Sequence, residues 1–303
     1  MSKGLPPVLL ESLLVHERAS LGPRTTLGIG GSAPWVIEVR RRSELMLAVQ
    51  ELNAADVPFR MLGHGSNILV SDAGVPEVVL HTRAMKAIYH HGEIEHALRC
   101  EAGAPLSRLV SAAHEMGLAG VEGLIGIPGT VGGAVAGNSG GREVAIGDLL
   151  CEVTLVEPDG TARVVPCSAR DFAYRSSPFQ GAVILDAVLQ LRPDDKSAIF
   201  ERMRSILQAK AATQPLTSAT AGCMFHNPPG ASSGELIERA GCKGMAEGAA
   251  RVSTRHANFI VNEGGARAED VLRLAERVRA AVQASSGEDL PLEVERWGTF
   301  DPS

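Results

Sequence analysis

The pattern of apolar residues in the first part of the chain predicts a small unit of strands and helices. Apolar residues recur at helical spacing over 43–55, with Leu45, Val49 and Leu52 on one face, and Ser43 stands where an N-cap is expected. Short apolar runs bounded by glycine, proline or polar residues predict strands at 33–40, 59–62, 68–70 and 78–81.

The middle of the chain is richer in strand-like runs. One helix is predicted at 105–116, and Pro158-Asp159-Gly160 is typical of a hairpin turn between two strands. The predicted strands of this region are 87–90, 97–100, 152–157, 162–166 and 183–191.

The last third combines helices with two further strands. The helix predicted at 267–284 places Val271, Leu274, Val278 and Val282 on one face, as packing on a core requires. Further helices are predicted at 196–212 and 235–240, and strands at 257–262 and 291–297. Because strands and helices do not alternate regularly, the pattern indicates an α+β fold. We expect domains at 1–85, 86–195 and 196–303.

Composition and charge narrow the classes of function. Hydrophobic residues make up 45% of the 303 residues, and the net charge of −6 comes without a dominant basic patch, which argues against a nucleic-acid partner. The N-terminal segment lacks the apolar stretch and cleavage site of a signal peptide, and no run approaches the ~18 apolar residues of a membrane span. We therefore expect a cytoplasmic protein with no membrane partner.

The cysteines point to neither a disulfide framework nor a structural zinc site. Their odd number and wide spacing argue against the first, and the absence of a C-x-x-C pair argues against the second. We expect no metal, and we interpret each cysteine except Cys223 as a small buried hydrophobe. The five are Cys100, Cys151, Cys167, Cys223 and Cys242.

A first glycine-rich segment, Gly63-His64-Gly65-Ser66-Asn67, follows a predicted strand. Its backbone N–H groups and the Ser66 and Asn67 side chains are suited to phosphate oxygens. The segment leads into another strand, which distinguishes it from the dinucleotide fingerprint that opens a helix. A tight turn explains the same residues equally well.

A second glycine-rich segment, 123–141, is apolar yet flexible, so it is expected to be a poor core helix. Such a density of small residues is typical of a backbone that lies directly against a large flat ligand, and a fused ring system such as isoalloxazine fits. A loop packed tightly against another domain is the alternative.

Together these segments resemble the UDP-N-acetylenolpyruvoylglucosamine reductase family, the flavoenzymes of bacterial peptidoglycan precursor synthesis. The resemblance covers nearly the whole chain, and although each matching stretch is weak alone, their common order is specific. The stretches are 25–31, 62–67, 123–140, 174–179, 221–228, 234–244, 256–262 and 292–294.

The resemblance implies a two-lobed FAD-binding domain of the vanillyl-alcohol oxidase type over 1–85 and 86–195, followed by an α+β substrate domain over 196–303. It implies NADPH-dependent reduction of UDP-N-acetylglucosamine enolpyruvate to UDP-N-acetylmuramate through bound FAD. The expected partners are the UDP-sugar enolpyruvyl ether and NADPH, and the expected state is a monomer or weak oligomer. The compact stretch 174–214 is similar to the family's shorter form, which lacks an extra substrate-clamping loop.

The resemblance also assigns roles to residues, with Arg175, Cys223 and Glu293 as the catalytic set. Tyr174, His226 and Asn227 are expected to bind the substrate. The residues expected to bind FAD are Gly63, His64, Gly65, Ser66, Asn67, Ile127, Pro128, Gly129, Thr130, Gly132, Gly133 and Asn138.

Each catalytic residue suits its implied role chemically. The Arg175 guanidinium can hold the substrate carboxylate with two parallel hydrogen bonds. Glu293 is expected to polarise the enolpyruvyl group as a protonated acid, and Glu295 is expected to point the same way along a strand. Cys223 stands where most of the family has serine as the acid that protonates C2. A thiol, with a reference pKa of about 8.5, is competent to donate that proton.

Other readings of these residues stay open. His226 stands where the family usually has lysine, and a neutral imidazole supplies less positive charge at neutral pH. Cys223 is alternatively a packing substitution in a chain that has lost activity. The alternative functions are a flavin oxidoreductase of the same fold acting on another carboxylate-bearing substrate, and a non-catalytic binder of nucleotide sugars.

Overall fold

The computed structural model of the protein describes residues 4–141 and 143–300, which form two compact units. Unit 1 contains the described residues up to Glu17, together with Trp35–His64 and Glu77–Ala209. Unit 2 contains Arg18–Pro34, Gly65–Pro76 and the described residues from Lys210 onward. Helices and strands are mixed in both units, which confirms the predicted α+β class. The three predicted domain ranges stay a prediction.

The described residues form short strands and a few longer helices. The strands are β1 (Leu14–Ser20), β2 (Ser32–Glu38), β3 (Phe59–Leu62), β4 (Ile68–Val70), β5 (Val78–His81), β6 (Ile88–His90), β7 (Ala97–Glu101), β8 (Leu118–Ala119), β9 (Leu150–Val156), β10 (Ala162–Pro166), β11 (Ile184–Gln190), β12 (Arg192–Pro193), β13 (Thr220–Cys223), β14 (Ala246–Glu247), β15 (Ala250–Val252), β16 (Phe259–Asn262) and β17 (Glu295–Trp297). The α-helices are α1 (Pro7–Ser12), α2 (Arg42–Ala54), α3 (Leu106–Glu115), α4 (Val131–Gly137), α5 (Lys196–Thr213), α6 (Ser233–Arg239) and α7 (Ala268–Ser286).

Two sheets organise unit 1. One has the strand order β1-β2-β5-β3, with β2, β5 and β3 parallel, and the division between the units falls within β1 and β2. The other has the order β10-β9-β11-β7-β6 and is antiparallel. Leu45, Val49 and Leu52 of α2 are buried in the core of the first sheet, so the predicted apolar face of this helix is confirmed.

The predicted N-cap of α2 is wrong. The helix begins at Arg42, and the N-cap position belongs to Arg41, which makes no side-chain capping bond. Instead, the buried Glu44 carboxylate accepts a hydrogen bond from the Arg40 N–H at 2.8 Å. A carboxylate in the first turn also interacts favourably with the helix dipole, so Glu44 replaces the expected serine cap.

A buried carboxylate connects α2 to the second sheet of unit 1. Asp186 on β11 is fully buried and accepts hydrogen bonds from Arg99 Nη1 at 2.6 Å and from Thr154 Oγ1 at 2.9 Å. Arg42 forms an ion pair with its other oxygen. A buried charge is tolerated only when it is paired and hydrogen-bonded, and Asp186 meets both conditions.

Unit 2 is built on a four-stranded sheet of order β13-β16-β15-β14 and on the parallel pair β17 and β4. The helix α7 packs on the sheet, and Val271, Leu274, Val278 and Val282 are buried, which confirms its predicted apolar face. Gly287, with φ of 75°, ends the helix in the left-handed region that favours glycine.

Candidate active site

The two glycine-rich segments meet within unit 1. A Cβ added to Gly63 would lie 2.4 Å from Thr130 Oγ1, so the chain at Gly63 runs directly against the start of α4. Only a residue without a side chain fits this approach unless Thr130 turns away. The sequence placed the two segments in one site only through a family resemblance, whereas the structure brings them into contact.

The histidine of the first segment has an unused polar atom. Nδ1 of His64 is buried and has no hydrogen-bond partner among the described residues, and neither has Nε2 of buried His81. Burial, followed by the charges of Arg83 and His81, lowers the pKa of His64 below its ordinary value. His64 is therefore neutral at pH 7, and its unsatisfied nitrogen is a group that a ligand could satisfy.

The second glycine-rich segment is partly helical, so the expectation that it would be a poor core helix is wrong for α4. Thr130 is the N-cap and accepts a hydrogen bond from the Gly133 N–H, and Asn138 ends the helix with φ of 45°. Gly133 and Gly137 are exposed, and their spacing of four places them on the same side of the helix. This side of α4 is therefore bare backbone, which suits a flat ligand.

Other members of the segment are engaged with the protein itself. The N–H groups of Val131 and Gly132 donate to the carbonyl oxygens of Ala104 and Ala102, each at 2.8 Å. Gly132 is buried, and an added Cβ would lie 2.8 Å from that of Ala102. Gly132 therefore has a packing role whether or not it also contacts a ligand.

Asn138 positions the turn that carries Tyr174 and Arg175. Its Nδ2 donates to the Ala173 carbonyl oxygen at 2.7 Å, and its Oδ1 accepts from the Gly147 N–H at 3.1 Å. These bonds engage both polar atoms of the buried side-chain amide. They fix the residue that immediately precedes the predicted substrate-binding turn.

Arg175 lies in a tight turn within unit 1. Backbone hydrogen bonds in both directions join Ala173 and Ser176, and Arg175 takes a φ of 53° between them. Its Nη1 donates to the Gly140 carbonyl oxygen at 3.4 Å, and its guanidinium carbon lies 5.3 Å from the ring centroid of Tyr174. The exposed ring of Tyr174 therefore helps to orient the guanidinium.

The second half of the first glycine-rich segment lies in unit 2 and supports the C-terminal residues. Asn67 Nδ2 donates to the Glu293 carbonyl oxygen at 3.3 Å, and the Asn67 carbonyl oxygen accepts from the Glu295 N–H at 3.0 Å. Gly65, with φ of 62°, stands where an added Cβ would lie 2.7 Å from the Arg24 carbonyl oxygen. Asn67 thus has a structural role beside the predicted cofactor role.

Cys223 is the last residue of β13 and is half-buried. A register irregularity separates it from Thr220, and Gly222 before it has φ of 81°. This irregularity changes the direction of the strand just before the thiol. None of the five cysteines, all of which lie in the described residues, is in a disulfide.

Asn258 holds the residues that follow Cys223. Its carbonyl oxygen accepts from the Met224 N–H at 2.8 Å, its Oδ1 accepts from the Phe225 N–H at 2.9 Å, and its Nδ2 donates to the Phe225 carbonyl oxygen at 2.8 Å. The sequence assigned it no role, although it lies in one of the stretches that carry the family resemblance. Nothing in the local pattern identifies its partners Phe225 and Met224, which precede it by more than 30 residues along the chain.

Glu293 precedes the C-terminal strand, so the predicted strand at 291–297 is wrong in its first part. Its N–H donates to the Met224 carbonyl oxygen at 2.9 Å, which brings it beside Cys223 in unit 2. The Glu293 carboxyl is 10% exposed, and its Oε2 lies 3.7 Å from His226 Nδ1. Glu295 is exposed and accepts from Trp297 Nε1 at 3.0 Å, so the two glutamates differ in surroundings.

His226 and Asn227 are tied to the start of α6. The Ser233 hydroxyl donates to the His226 carbonyl oxygen, and the Ser233 N–H donates to Asn227 Oδ1 at 2.9 Å. The His226 N–H also donates to the Pro291 carbonyl oxygen at 3.0 Å. Unit 2 therefore gathers Cys223, His226 and Glu293 through backbone hydrogen bonds.

Within the described parts of the chain, no helix is long and apolar enough to cross a membrane. Over the same residues, no cluster of three or more histidine, cysteine or acidic side chains is arranged to hold a metal ion.

Known protein families match both halves of the chain. A family model described as the C-terminal domain of UDP-N-acetylenolpyruvoylglucosamine reductase matches residues 214–297, and one described as an FAD binding domain matches residues 33–165. The reductase of Moorella thermoacetica is 39% identical over 94% of this chain and 94% of its own length. UDP-N-acetylenolpyruvoylglucosamine reductase 2 of Symbiobacterium thermophilum is 38% identical over 98% of this chain and 97% of its own length.

A solved structure is similar over nearly the same extent. The crystal structure of UDP-N-acetylenolpyruvylglucosamine reductase from Thermus caldophilus has a TM-score of 0.80 and 40% sequence identity. The match covers 94% of this chain and 99% of that one.

Proposed function

The chain belongs to the UDP-N-acetylenolpyruvoylglucosamine reductase family, and from this premise we propose that Arg175, Cys223 and Glu293 perform its chemistry. The protein is an FAD-containing reductase that converts UDP-N-acetylglucosamine enolpyruvate to UDP-N-acetylmuramate with NADPH, in peptidoglycan precursor synthesis. The observation that carries the residue assignment is the hydrogen bond from Glu293 to Met224, which sets the carboxyl beside the thiol-bearing strand end.

The residues of unit 1 fit a bound FAD on three observations. Gly133 and Gly137 leave one side of α4 bare, Gly63 runs against Thr130, and Nδ1 of His64 has no partner among the described residues. When bound, FAD supplies the hydride carrier between NADPH and the substrate. We propose that the residues of unit 1 that hold it are Gly63, His64, Ile127, Pro128, Gly129, Thr130, Gly132, Gly133 and Asn138. Gly65, Ser66 and Asn67, which follow His64 along the chain and belong to unit 2, complete the proposed set.

Arg175 binds the substrate carboxylate in this proposal. A guanidinium offers two parallel N–H groups to a carboxylate, so it both orients the enolpyruvyl group and stabilises the negative charge that develops on it. Tyr174 keeps the guanidinium in place through its ring and contacts the substrate.

Cys223 donates the proton. As hydride adds to C3, the electron pair of the enolpyruvyl double bond moves to C2. The thiol of Cys223 then protonates C2. The resulting thiolate regains a proton from solvent before the next turnover. Because Cys223 ends a strand whose next two residues are fixed by Asn258, the thiol has a defined position at small entropic cost.

Glu293 polarises the enolpyruvyl group from a carboxyl that is only 10% exposed. His226, 3.7 Å from that carboxyl, and Asn227 bind the substrate. Both side chains follow Cys223 closely along the chain, so one segment carries the acid and part of the binding surface.

Stopped-flow absorbance of the bound flavin tests the assignment, because the two half-reactions are separate signals. We expect Cys223→Ala to keep flavin reduction by NADPH at the parental rate. Reoxidation by the enolpyruvyl sugar should slow by about 10²–10⁴-fold, since general acid catalysis is removed. Cys223→Ser should retain substantial reoxidation because a hydroxyl can replace the thiol.

Normal reoxidation in Cys223→Ala would mean that the proton donor is another group. A parental protein whose flavin is reduced by NADPH, but reoxidised only by a different carboxylate-bearing substrate, would support the alternative oxidoreductase. A cytoplasmic location and a monomeric or weakly oligomeric state complete the proposal, and light scattering on the purified holoenzyme tests the latter.

A further inference from the structure

Two cysteines stand opposite each other at the open end of the β9–β10 hairpin in unit 1. The strand register pairs Pro166 with Glu152, and the next pair along is Cys167 and Cys151. The Cys167 N–H donates to the Cys151 carbonyl oxygen at 3.0 Å, so the pairing continues through the two cysteines. Neither residue has a role in the reductase chemistry described above.

The geometry of this pair is suited to a disulfide. Directly opposed residues of an antiparallel pair project from the same face, with Cα atoms about 4.5–5.5 Å apart. A disulfide spans Cα separations of about 4.4–6.8 Å. The expected Cα separation therefore lies in the range that a disulfide spans, so the bond requires no change of strand register. To form it, the Cys151 thiol gives up its hydrogen bond to the Val188 carbonyl oxygen at 3.5 Å.

The surroundings of the pair permit slow oxidation. Both side chains are half-buried, whereas Cys100 is fully buried. Burial, and after it the nearby Cys151 thiol, raises the pKa of Cys167 to about 11, and burial also raises the pKa of Cys151. Since the thiolate is the reactive form, both thiols are protected at neutral pH and become more reactive as pH rises.

We propose that Cys151 and Cys167 form a reversible redox couple that peroxide oxidises to a cross-strand disulfide. One thiolate attacks a peroxide oxygen, which gives a sulfenic acid and one water once the leaving hydroxide is protonated. The second thiolate attacks that sulfur, forms the S–S bond and releases the second water. Two thiols are oxidised and one peroxide is reduced, and a dithiol reductant restores both thiols by exchange.

The couple lies where the chain leaves the hairpin for the turn that carries Arg175. A disulfide would fix the end of β10 to β9 covalently at the start of that connection. Any effect on substrate binding rests on the role proposed for Arg175, whereas the disulfide itself does not.

Peptide mapping of the oxidised holoenzyme tests the couple without an activity measurement. The full chain is treated with hydrogen peroxide, its remaining thiols are alkylated, and trypsin cleaves after Arg163, which separates the two cysteines. We expect a cross-linked peptide pair that has lost two hydrogen atoms and that dithiothreitol separates. Its rate of formation should rise about tenfold per pH unit between pH 7 and 9, because both thiols titrate above that range.

Single variants identify the partners. Cys151→Ser and Cys167→Ser should each abolish the cross-linked pair. Cys151→Ala should do the same, which shows that the loss comes from the missing thiol and not from the introduced hydroxyl. Cys242→Ala removes a buried thiol of unit 2 and should leave the cross-link unchanged. The proposal is wrong if the folded parent gives only singly oxidised cysteines, or if either thiol links to Cys223 instead.

Discussion

The predicted site residues of unit 1 and unit 2 work in opposite ways. Around α4 in unit 1, the useful feature is missing side chains: Gly133 and Gly137 leave backbone bare. Gly140 lies so close to Ala145 that a Cβ added to Gly140 would lie 2.4 Å from the Cα of Ala145. Around Cys223 in unit 2, side chains carry the proposed chemistry, and hydrogen bonds from Asn258 hold the backbone that follows the thiol.

The difference predicts how each region responds to substitution. A surface of bare backbone orders no side chains when a flat ligand binds, but it leaves no room for added atoms where the ligand or neighbouring backbone lies against it. A site of side chains accepts an exchange of similar shape, such as cysteine for serine, as long as its supporting hydrogen bonds remain. Unit 1 should therefore be sensitive to added volume and unit 2 to lost hydrogen bonds.

The largest expected loss of stability comes from Asn258→Ala in unit 2. The change leaves the N–H and the carbonyl of buried Phe225 without their partner, at a cost of about 2–4 kcal/mol. Urea denaturation measures the free energy of unfolding. The exposed Asn53, whose side chain donates to the Val49 carbonyl oxygen within α2, supplies the control Asn53→Ala, for which we expect a change below about 0.5 kcal/mol.

Similar losses of unfolding free energy in Asn258→Ala and Asn53→Ala would contradict the structural role assigned to Asn258. A normal rate of flavin reoxidation in Asn258→Ala would show that the position of Cys223 does not depend on these hydrogen bonds.

In unit 1, Gly140→Ala should cost about 1–3 kcal/mol of folding free energy through overpacking against backbone. It should also lower the FAD retained after gel filtration, because the Gly140 carbonyl accepts from Arg175 and the segment continues into α4. The flavin-to-protein absorbance ratio measures the second effect. Unchanged stability would mean that the loop near Ala145 yields easily and that unit 1 accepts added volume after all.

Substitutions at Gly137, in the same segment, should affect cofactor binding without affecting folding. Nothing lies within 4 Å of an added Cβ, so Gly137→Ala should leave the apoprotein unchanged or stabilise it by up to about 1 kcal/mol. Gly137→Leu should also fold, yet it should retain little FAD because its side chain would occupy the bare side of α4. Full flavin content in Gly137→Leu would place the ligand elsewhere.

The smallest effect concerns acid sensitivity in unit 2. Burial, followed by the charge of Lys243, lowers the pKa of His256, so the unfolded chain binds a proton more readily than the folded chain. Stability from this group is present above the ordinary histidine pKa and is lost as pH falls below it. His256→Gln should therefore reduce the loss of stability between pH 7.5 and 5.5.

Urea titrations at the two pH values measure this change. The exposed His90 offers the control His90→Gln, which should leave the pH dependence as it is in the parent. A steeper loss of stability with acid in His256→Gln would mean that the folded chain, rather than the unfolded one, binds the His256 proton more readily.

Short strands were predictable because their signals are local. The apolar runs at 59–62, 68–70, 78–81 and 162–166 coincide with β3, β4, β5 and β10. Each run ends at glycine, proline or polar residues, which set the bounds wherever the strand pairs. The apolar face of α7 was predictable for the same reason, since helical periodicity needs no knowledge of the partner surface.

Part of the candidate site could also be proposed from residue order alone. The glycine-rich segments, Arg175, Cys223 and Glu293 were identified because family motifs recur in sequence, and the family assignment they implied is confirmed. Their individual roles stay proposals.

Other features depended on partners far along the chain. The segment 131–137 is helical because Thr130 caps it and the Ala102 region accepts its first N–H groups. Glu293 precedes β17 and instead donates its N–H to the Met224 carbonyl oxygen, beside an isolated antiparallel bridge between Phe225 and Leu292. Its carbonyl oxygen accepts from Asn67, 226 residues away. A pattern along one element reports periodicity and propensity, which are local. Hydrogen bonds between distant segments form only when the whole chain folds, so the tertiary structure alone decided them.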